Sequence, residues 1–212
     1  MREARLLYVM DPMCSWCWGF APVVEALAAQ AAAAGVGIQL IAGGLRTGGG
    51  AALDPTTRRY ILEHWHEVLR TTGQPFRFEG ALPDGFVYDT EPACRALVAA
   101  RSLDAQSVWP LVKQIQQAFY IEGRDVGQPG VLAELAEAAG LPRMVFVEAF
   151  DSAEQRAATV ADFSWVQDLG IAGFPTLLAE RDGQLALLTN GYQPLDQLAP
   201  LLARWLERGT HV

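Results

Sequence analysis

Cys14 and Cys17 are separated by two residues, at the point where a short apolar run gives way to a helical pattern. At the first turn of a helix, this spacing brings two sulfur atoms close enough to form a disulfide. The unpaired backbone N–H groups and the helix dipole there favour a thiolate over a thiol. We therefore expect redox chemistry, with Cys14 as the nucleophile and the deeper Cys17 resolving a mixed disulfide. The alternatives are half of a zinc site and two structural thiols.

The other cysteine and the histidines do not complete a metal site. Cys94 lies on a predicted helix face, where we expect a small buried hydrophobic residue rather than a third redox thiol. His64 and His66 are two residues apart, so they point in different directions on one helix, and His211 lies near the C-terminal end. Zinc is the weaker hypothesis because a second pair of ligands is missing.

The composition predicts a globular protein that binds neither nucleic acid nor a membrane. The chain has 212 residues, of which 51% are hydrophobic, and a net charge of −8 with Lys113 as its single lysine. Such a chain has no basic stripe for phosphates, and no run reaches the roughly 20 apolar residues of a membrane span. Because the first strand is expected directly after residues 1–3, no room remains for a signal peptide, and we expect a cytoplasmic protein. Three cysteines are too few for a disulfide scaffold.

The first forty residues have the pattern of a β-α-β unit. An apolar run at Leu6–Met10 predicts a buried strand, Cys14 to about Ala34 predicts a helix that stops at Gly35, and Val36–Ala42 predicts a second, parallel strand. The glycine-rich stretch Gly43–Gly50 follows. It lacks the spacing and the Lys-Ser/Thr of a P-loop, so we expect a flexible connector rather than an anion site.

Only helical patterns follow between Asp54 and about Phe150. The expected helices begin at Asp54-Pro55 and end at Gly73, begin at Thr90-Glu91-Pro92, and continue around Trp109 to Tyr120 and around Leu132 to Ala139. The predicted inward face of the second of these helices holds Cys94, Leu97 and Val98.

In the C-terminal part of the sequence, helical and strand patterns alternate again. We expect a helix over roughly Ser152–Leu169, a strand after Pro175, a hairpin turn at Arg181-Asp182-Gly183, a strand at Leu185–Thr189, and a closing helix from Pro194 through Leu206.

Without the central helices, this is the element order of thioredoxin. We therefore predict an α/β protein with a thioredoxin fold (β-α-β, then α-β-β-α) and a helical domain inserted between its halves. The predicted boundaries are residues 1–50 and 151–212 for a discontinuous thioredoxin-like domain, and 51–150 for the all-helical insert.

Four segments carry a family resemblance: Asp11–Phe20, Tyr88–Arg95, Phe119–Asp125 and Gly173–Thr176. In this order along the chain, they resemble the DsbA-like group of thioredoxin-fold oxidoreductases. The sequence looks most like the cytoplasmic branch that includes the FrnE-type proteins and the predicted protein-disulfide isomerases.

This resemblance implies roles for the residues around the cysteine pair. Pro175 corresponds to the family's cis-proline facing the cysteines, and Phe174 would offer main-chain hydrogen bonds to an extended substrate. Ser15 and Trp16, between the cysteines, would contact the substrate and tune the stability of the thiolate and the disulfide. Trp18 would extend the apolar groove, with core packing as an equal alternative.

One departure concerns proton handling. Thioredoxins carry a buried acid six residues before the nucleophile, and Tyr8 occupies that position here. Asp11 and Glu25 are weak substitutes, since we expect Asp11 to be a turn residue and Glu25 to be a solvated charge.

The leading functional hypothesis is a thiol-disulfide oxidoreductase or isomerase acting on protein or small-molecule thiols and disulfides. It needs no cofactor beyond the cysteine pair, and glutathione is a possible electron donor. One alternative is a glutathione-dependent transferase or isomerase, like the kappa-class glutathione transferases and 2-hydroxychromene-2-carboxylate isomerases. Those relatives typically have serine at the position of Cys14 and lack the second thiol. The other is a partner-binding module whose cysteines are incidental.

Overall fold

The computed structural model describes residues 4–208, so His211 lies outside the described residues. The strands are β1 (Ala4–Met10), β2 (Gly37–Ala42), β3 (Thr176–Arg181) and β4 (Gln184–Asn190). The helices are α1 (Ser15–Ala33), α2 (Pro55–Thr72), α3 (Glu91–Leu103), α4 (Val108–Gln117), α5 (Pro129–Ala138), α6 (Arg143–Asp151), α7 (Ala153–Asp168) and α8 (Leu195–Glu207). A π-helical turn, Ala118–Glu122, continues α4.

The four strands form one sheet in the order β2-β1-β3-β4. β1 is parallel to β2 and antiparallel to β3, and β3 is antiparallel to β4. The continuous apolar run of β1 suits this central position, because residues 6–10 are buried. The predicted β-α-β unit and the closing hairpin are therefore confirmed, and the strand order is that of a thioredoxin fold.

Local sequence signals explain where α2 begins and ends. The Asp54 carboxylate accepts hydrogen bonds from the backbone N–H groups of Thr56 and Thr57, at 2.9 and 3.0 Å. Pro55 is the first helical residue. Gly73, with φ +76°, closes the helix through a hydrogen bond from its N–H to the Leu69 carbonyl. The predicted helix is confirmed at both ends.

Two elements of the helical region were not predicted. α6 is only nine residues long, and its Met144 and Val145 side chains are 77% and 47% exposed, which breaks the periodic apolar face that identifies a helix. The π-helical turn after α4 changes the phase of that helix and buries the adjacent Phe119 and Tyr120.

The central helices pack directly on the end of the sheet that carries the cysteines. The Tyr8 ring of β1 stacks on Trp109 of α4, with ring centroids 6.0 Å apart and an interplanar angle of 9°. The Trp18 ring of α1 stacks on Tyr120 at 5.8 Å. One apolar core thus includes side chains from the sheet and from α3, α4 and α5. The division into two domains stays a prediction.

A proline inside α1 joins that helix to the segment after α2. Pro22 has no N–H to donate to the carbonyl four residues earlier, which belongs to Trp18. The side-chain amide of Gln74 donates to this Trp18 carbonyl instead, at 2.9 Å.

Candidate active site

The cysteine pair begins α1 directly after the central strand. Cys14 is the residue before the first helical residue, and Cys17 lies in the first turn. The Cys14 N–H donates to the Asp11 carbonyl at 3.0 Å, which closes the turn between β1 and α1. Cys14 is 6% exposed and Cys17 is fully buried, and both are free thiols. Both residues are therefore buried, and the roles of Cys14 as nucleophile and Cys17 as resolving thiol stay predictions.

The loop before β3 lies against Cys14. The Phe174–Pro175 peptide bond is cis, as the resemblance implied. The Cys14 thiol donates to the Phe174 carbonyl oxygen, with 3.6 Å between sulfur and oxygen. Gly43 makes room for this loop, because a Cβ atom there would lie 2.5 Å from the Phe174 ring. The first glycine after β2 is therefore a packing requirement of the site.

Cys17 lies in a closed environment. Cys14 and Tyr8 are titratable neighbours of its thiol. Burial raises the pKa of Cys17 well above its ordinary value, and the neighbouring Cys14 raises it further. Burial also raises the pKa of Tyr8. Both groups therefore hold their protons near neutral pH, and Cys17 needs a proton acceptor before it acts as a nucleophile.

Asp11 is a turn residue, as expected, but its carboxylate is also fully buried. It accepts hydrogen bonds from the N–H groups of Met13 and Leu45, at 2.8 and 2.7 Å, and from the Cys94 thiol at 3.3 Å. Burial raises the pKa of Asp11, although the hydrogen bonds from Thr90, Leu45 and Met13 act in the opposite direction. No local sequence signal predicts this contact, since Asp11 and Cys94 are 83 residues apart.

The glycine-rich stretch is held in place where it leaves β2, and it joins the cysteine segment to the start of α3. The Thr90 N–H donates to the Arg46 carbonyl at 2.8 Å, and the Arg46 N–H donates to the Thr90 hydroxyl at 3.2 Å. The Tyr88 hydroxyl donates to the Met13 carbonyl, one residue before Cys14. The segment around Tyr88 that carried part of the resemblance thus braces the cysteine turn.

The predicted substrate-binding residues lie between the two cysteines (Ser15 and Trp16) or in the loop against Cys14 (Phe174 and Pro175). Ser15, Trp16 and Phe174 are half-buried and Pro175 is buried. The Trp16 ring lies 5.8 Å from that of Tyr192. The roles of these residues in binding a substrate stay predictions.

Two other candidates have packing or surface roles. The Trp18 indole N–H donates to the Pro75 carbonyl at 2.9 Å while its ring stacks on Tyr120, so Trp18 packs α1 against the central helices. Glu25 is a solvated charge, as expected, with a 47% exposed side chain 2.7 Å from the Lys113 ammonium group.

Residues 4–208 contain no group of three or more His, Cys, Asp or Glu side chains that is arranged to hold a metal ion. Within the same range, no helix is both long and apolar enough to cross a membrane. The ring of His66 stacks on Phe78 at 3.9 Å, and His64 lies 3.6 Å from Glu67.

The family model of the DSBA-like thioredoxin domain matches residues 5–203. The chain therefore belongs to the DSBA-like thioredoxin domain family. Its fold is that of the DsbA-like thiol-disulfide oxidoreductases, whose members act on thiol or disulfide substrates.

Several solved structures are similar to this chain. A candidate protein disulfide isomerase from Nitrosomonas europaea is 44% identical, with a TM-score of 0.91, over 97% of this chain and 98% of that one. The cytosolic disulfide reductase DsbM from Pseudomonas aeruginosa is 35% identical, with a TM-score of 0.77, over 95% and 98%. A structure of DsbM with GSH is 32% identical by the same comparison, with a TM-score of 0.76, over 95% and 98%.

A 2-hydroxychromene-2-carboxylate isomerase is 15% identical, with a TM-score of 0.65, over 97% of this chain and 98% of that one, so this likeness concerns the fold alone. No match was found among curated protein sequences.

Proposed function

We propose that this chain is a cytoplasmic thiol-disulfide oxidoreductase that works through Cys14 and Cys17. The observation that carries the proposal is the position of the Cys14 sulfur at the start of α1, with Cys17 in the first turn of the same helix and the Phe174 carbonyl of the cis-proline loop 3.6 Å away. The similarity to the cytosolic reductase DsbM supports both the chemistry and the location.

In the reducing direction, the Cys14 thiolate attacks one sulfur of a substrate disulfide. A bond forms between the Cys14 sulfur and the substrate, and the other substrate sulfur leaves as a thiolate and takes up a proton. Cys17 then loses its proton and attacks the Cys14 sulfur, which releases the second substrate thiol and leaves a Cys14–Cys17 disulfide. Run backwards, the same steps oxidise a dithiol, and alternating the two directions isomerises disulfides.

The substrate lies along the cis-proline loop. Phe174 and Pro175 supply an extended backbone edge beside Cys14, and main-chain hydrogen bonds there hold a substrate segment in strand-like form. Ser15 and Trp16 flank this edge from the first turn of α1. Because the edge is main chain and the neighbouring side chains carry no charge, we expect broad recognition of polypeptides rather than a motif defined by charge.

Glutathione is the proposed electron donor. The cysteine pair itself stores two electrons, so the cycle uses no resident cofactor. Two molecules of glutathione reduce the Cys14–Cys17 disulfide through a mixed disulfide on Cys14, with oxidised glutathione as the product. The structure of DsbM with GSH supports a small thiol as the partner.

The glutathione-dependent isomerase remains the alternative function, and its support is the shared fold. Cys17 argues against it, because a buried second thiol beside the first is needed for disulfide exchange and not for conjugation. Conjugating activity that persists in Cys17→Ala would favour this alternative. A module that only binds partners would form no Cys14–Cys17 disulfide at any glutathione redox poise.

Trapping tests the proposed roles directly. In Cys17→Ser, the attack by Cys14 still occurs but cannot be resolved, so we expect a stable adduct with a disulfide substrate that mass spectrometry detects and a reductant removes. Cys14→Ser should form no adduct and show no turnover. Cys94→Ser is the matched control, since it changes the third buried thiol and should turn over normally. Absence of an adduct in Cys17→Ser would contradict the assignment.

A redox titration of the wild-type pair against glutathione then distinguishes a reductant from an oxidant or isomerase. A potential near that of thioredoxin, about −270 mV, favours a reductase, and a potential near −120 to −180 mV favours an oxidase or isomerase.

A further inference from the structure

A small cavity lies against the buried sulfur of Cys17, between α1 and α4. Its free volume for the centre of a water molecule is about 10 Å³, which corresponds to one water. Tyr8 and Cys17 line its inner end, and Gln116 of α4 lines it from the helical region. The cavity therefore has room for one water molecule beside Cys17.

The polar groups in this lining suit a bound water. Gln116 is 1% exposed, and its side-chain nitrogen has no hydrogen-bond partner among the residues that the structure describes. Tyr8 carries a hydroxyl and lines the cavity together with Cys17. A buried amide without a partner is costly, and a buried water needs two to four polar partners. Gln116, Tyr8 and Cys17 together meet that number.

The cavity leads to the surface. Glu25, Lys113 and Gln116 line both this cavity and an open cleft of about 370 Å³ between α1 and α4. Glu25 and Lys113 form an ion pair at 2.7 Å, with side chains 47% and 61% exposed. The outer end of the path therefore carries a carboxylate in contact with solvent, while its inner end touches a sulfur that is fully buried.

We propose that one water held by Gln116 and Tyr8 in this cavity carries the proton between Cys17 and solvent, with Glu25 as the outer proton acceptor. The proposal rests on the proposed function and names the proton route for its second step. When Cys17 attacks the mixed disulfide, its proton passes to the water, and the water passes a proton to Glu25 or to bulk solvent. The new bond joins the Cys17 and Cys14 sulfurs, and the electron pair of the broken bond leaves on the substrate sulfur.

Tyr8 touches a reacting atom in this scheme, whereas Gln116 is a positioning residue. The other titratable groups facing Cys17 are Cys14, Asp11 and Tyr120. Asp11 is less suited to the proton transfer, because both of its carboxylate oxygens already accept hydrogen bonds and it does not line the cavity. Tyr120 is a fully buried phenol, whose pKa burial raises.

Reaction of the reduced protein with 5,5′-dithiobis(2-nitrobenzoic acid) separates the two steps. Attack by Cys14 releases a first thionitrobenzoate, and attack by Cys17 on the resulting adduct releases a second. We expect Gln116→Met, which keeps the volume but removes the amide, to slow the second release about tenfold at pH 7 and to leave the first release unchanged. Tyr8→Phe should also slow the second release selectively.

Gln117→Met is the matched control, because the same change on the next residue affects only an exposed side chain that lines the outer cleft. Both releases should keep their rates and pH profiles. In Gln116→Met, the rate of the second release should depend more steeply on pH than in the wild-type protein. Hydroxide from solvent must then remove the Cys17 proton, because the water-mediated route is lost.

An unchanged second release in Gln116→Met would overturn the proposal, as would equal slowing of both releases. A crystal structure of the reduced protein provides an independent test. We expect one ordered water within hydrogen-bonding distance of the Gln116 amide and the Cys17 sulfur, and a dry cavity would reject the route. Absence of any second release from the wild-type protein would instead contradict the proposed function.

Discussion

Cys17 and Cys94 are both fully buried, burial raises the pKa of both well above the ordinary value, and Asp11 is close to both. They differ in what else lies within reach. Cys17 lies in the first turn of α1 next to Cys14, whereas Cys94 on α3 donates to the Asp11 carboxylate and packs in a small cluster with Val98. Burial is therefore common to both thiols, and in the proposed function the neighbouring Cys14 is what gives Cys17 a part in disulfide exchange.

Alanine substitution of each buried thiol gives the largest expected difference in turnover between the Cys17 and Cys94 sites. Cys17→Ala should lower turnover of a disulfide substrate by on the order of 10²-fold or more, because the mixed disulfide can no longer be resolved internally. Cys94→Ala should stay within about twofold of the wild-type rate, because its sulfur has no place in the exchange. Similar losses in the two variants, measured by steady-state kinetics at one temperature below both melting points, would remove the distinction.

A clash introduced beside Cys14 should produce the next largest effect. In Gly43→Ala, the new Cβ would lie 2.5 Å from the Phe174 ring, so that ring or the cis-proline loop that carries it must shift beside Cys14. We expect kcat/KM to fall about tenfold and the free energy of unfolding to fall by about 1–3 kcal/mol. Gly50→Ala is the control, because nothing lies within 4 Å of a Cβ at that position. Equal kinetics in the two variants would show that the Phe174 position is not critical.

Asp11→Asn tests the carboxylate that lies close to both Cys17 and Cys94. One amide nitrogen must then face a backbone donor of Met13 or Leu45, so we expect the free energy of unfolding to fall by about 1–3 kcal/mol at mildly acidic pH. Because burial raises the pKa of Asp11, the folded protein binds that proton more tightly than the unfolded chain does. The contribution of Asp11 to stability is therefore fully present below about pH 4 and declines as the pH rises towards its raised pKa.

The stability difference between the wild-type protein and Asp11→Asn, measured by urea unfolding, should accordingly narrow as the pH rises from about 4 towards the raised pKa of Asp11. Asp54→Asn is a control for which the stability difference should change with pH in the opposite direction. Hydrogen bonds from Thr57 and Thr56 lower the pKa of Asp54, so its contribution is lost as the pH falls, and that difference should widen with rising pH. A difference for Asp11→Asn that also widens with pH would contradict the assigned direction.

The smallest effect on stability is expected when the Cys94 thiol, which donates to Asp11, is replaced. Cys94→Ala removes the thiol that donates to Asp11 and should lower the free energy of unfolding by about 1–2 kcal/mol. Cys94→Ser keeps a donor at the same position and should lose less. If Cys94→Ser lowers the free energy of unfolding as much as Cys94→Ala does, the Cys94 sulfur stabilises the fold through its packing and not through its hydrogen bond.

Much of the fold follows from signals that are local in the sequence. The ends of α2 were predictable because Asp54, Pro55 and Gly73 each have one strong conformational role. The β3–β4 hairpin was predictable because an Asp-Gly pair is a strong signal for a tight turn. In the structure, Asp182 and Gly183 take the positive φ values that such a turn needs, 52° and 76°. α6 was missed because its exposed apolar residues mask the helical period.

The candidate site was predictable only in part. The Cys14–Cys17 spacing indicated the chemistry, and the resemblance indicated the cis-proline loop. The burial of Asp11 was not predictable, because its partners Leu45 and Cys94 lie far away in the chain. A short polar residue before a proline has the same local pattern whether it lies on the surface or in a core.

Pro22 gives the active-site helix an acceptor that only another segment can satisfy. In an ordinary helix, the Trp18 carbonyl would be saturated within the helix itself, whereas here its donor is the Gln74 amide. A shortened chain that lacks residues 51–150 would lose that donor together with the ring that stacks on Trp18. Trimming this protein to a minimal thioredoxin should therefore loosen the helix within one turn of its reactive sulfurs, even where every strand is retained.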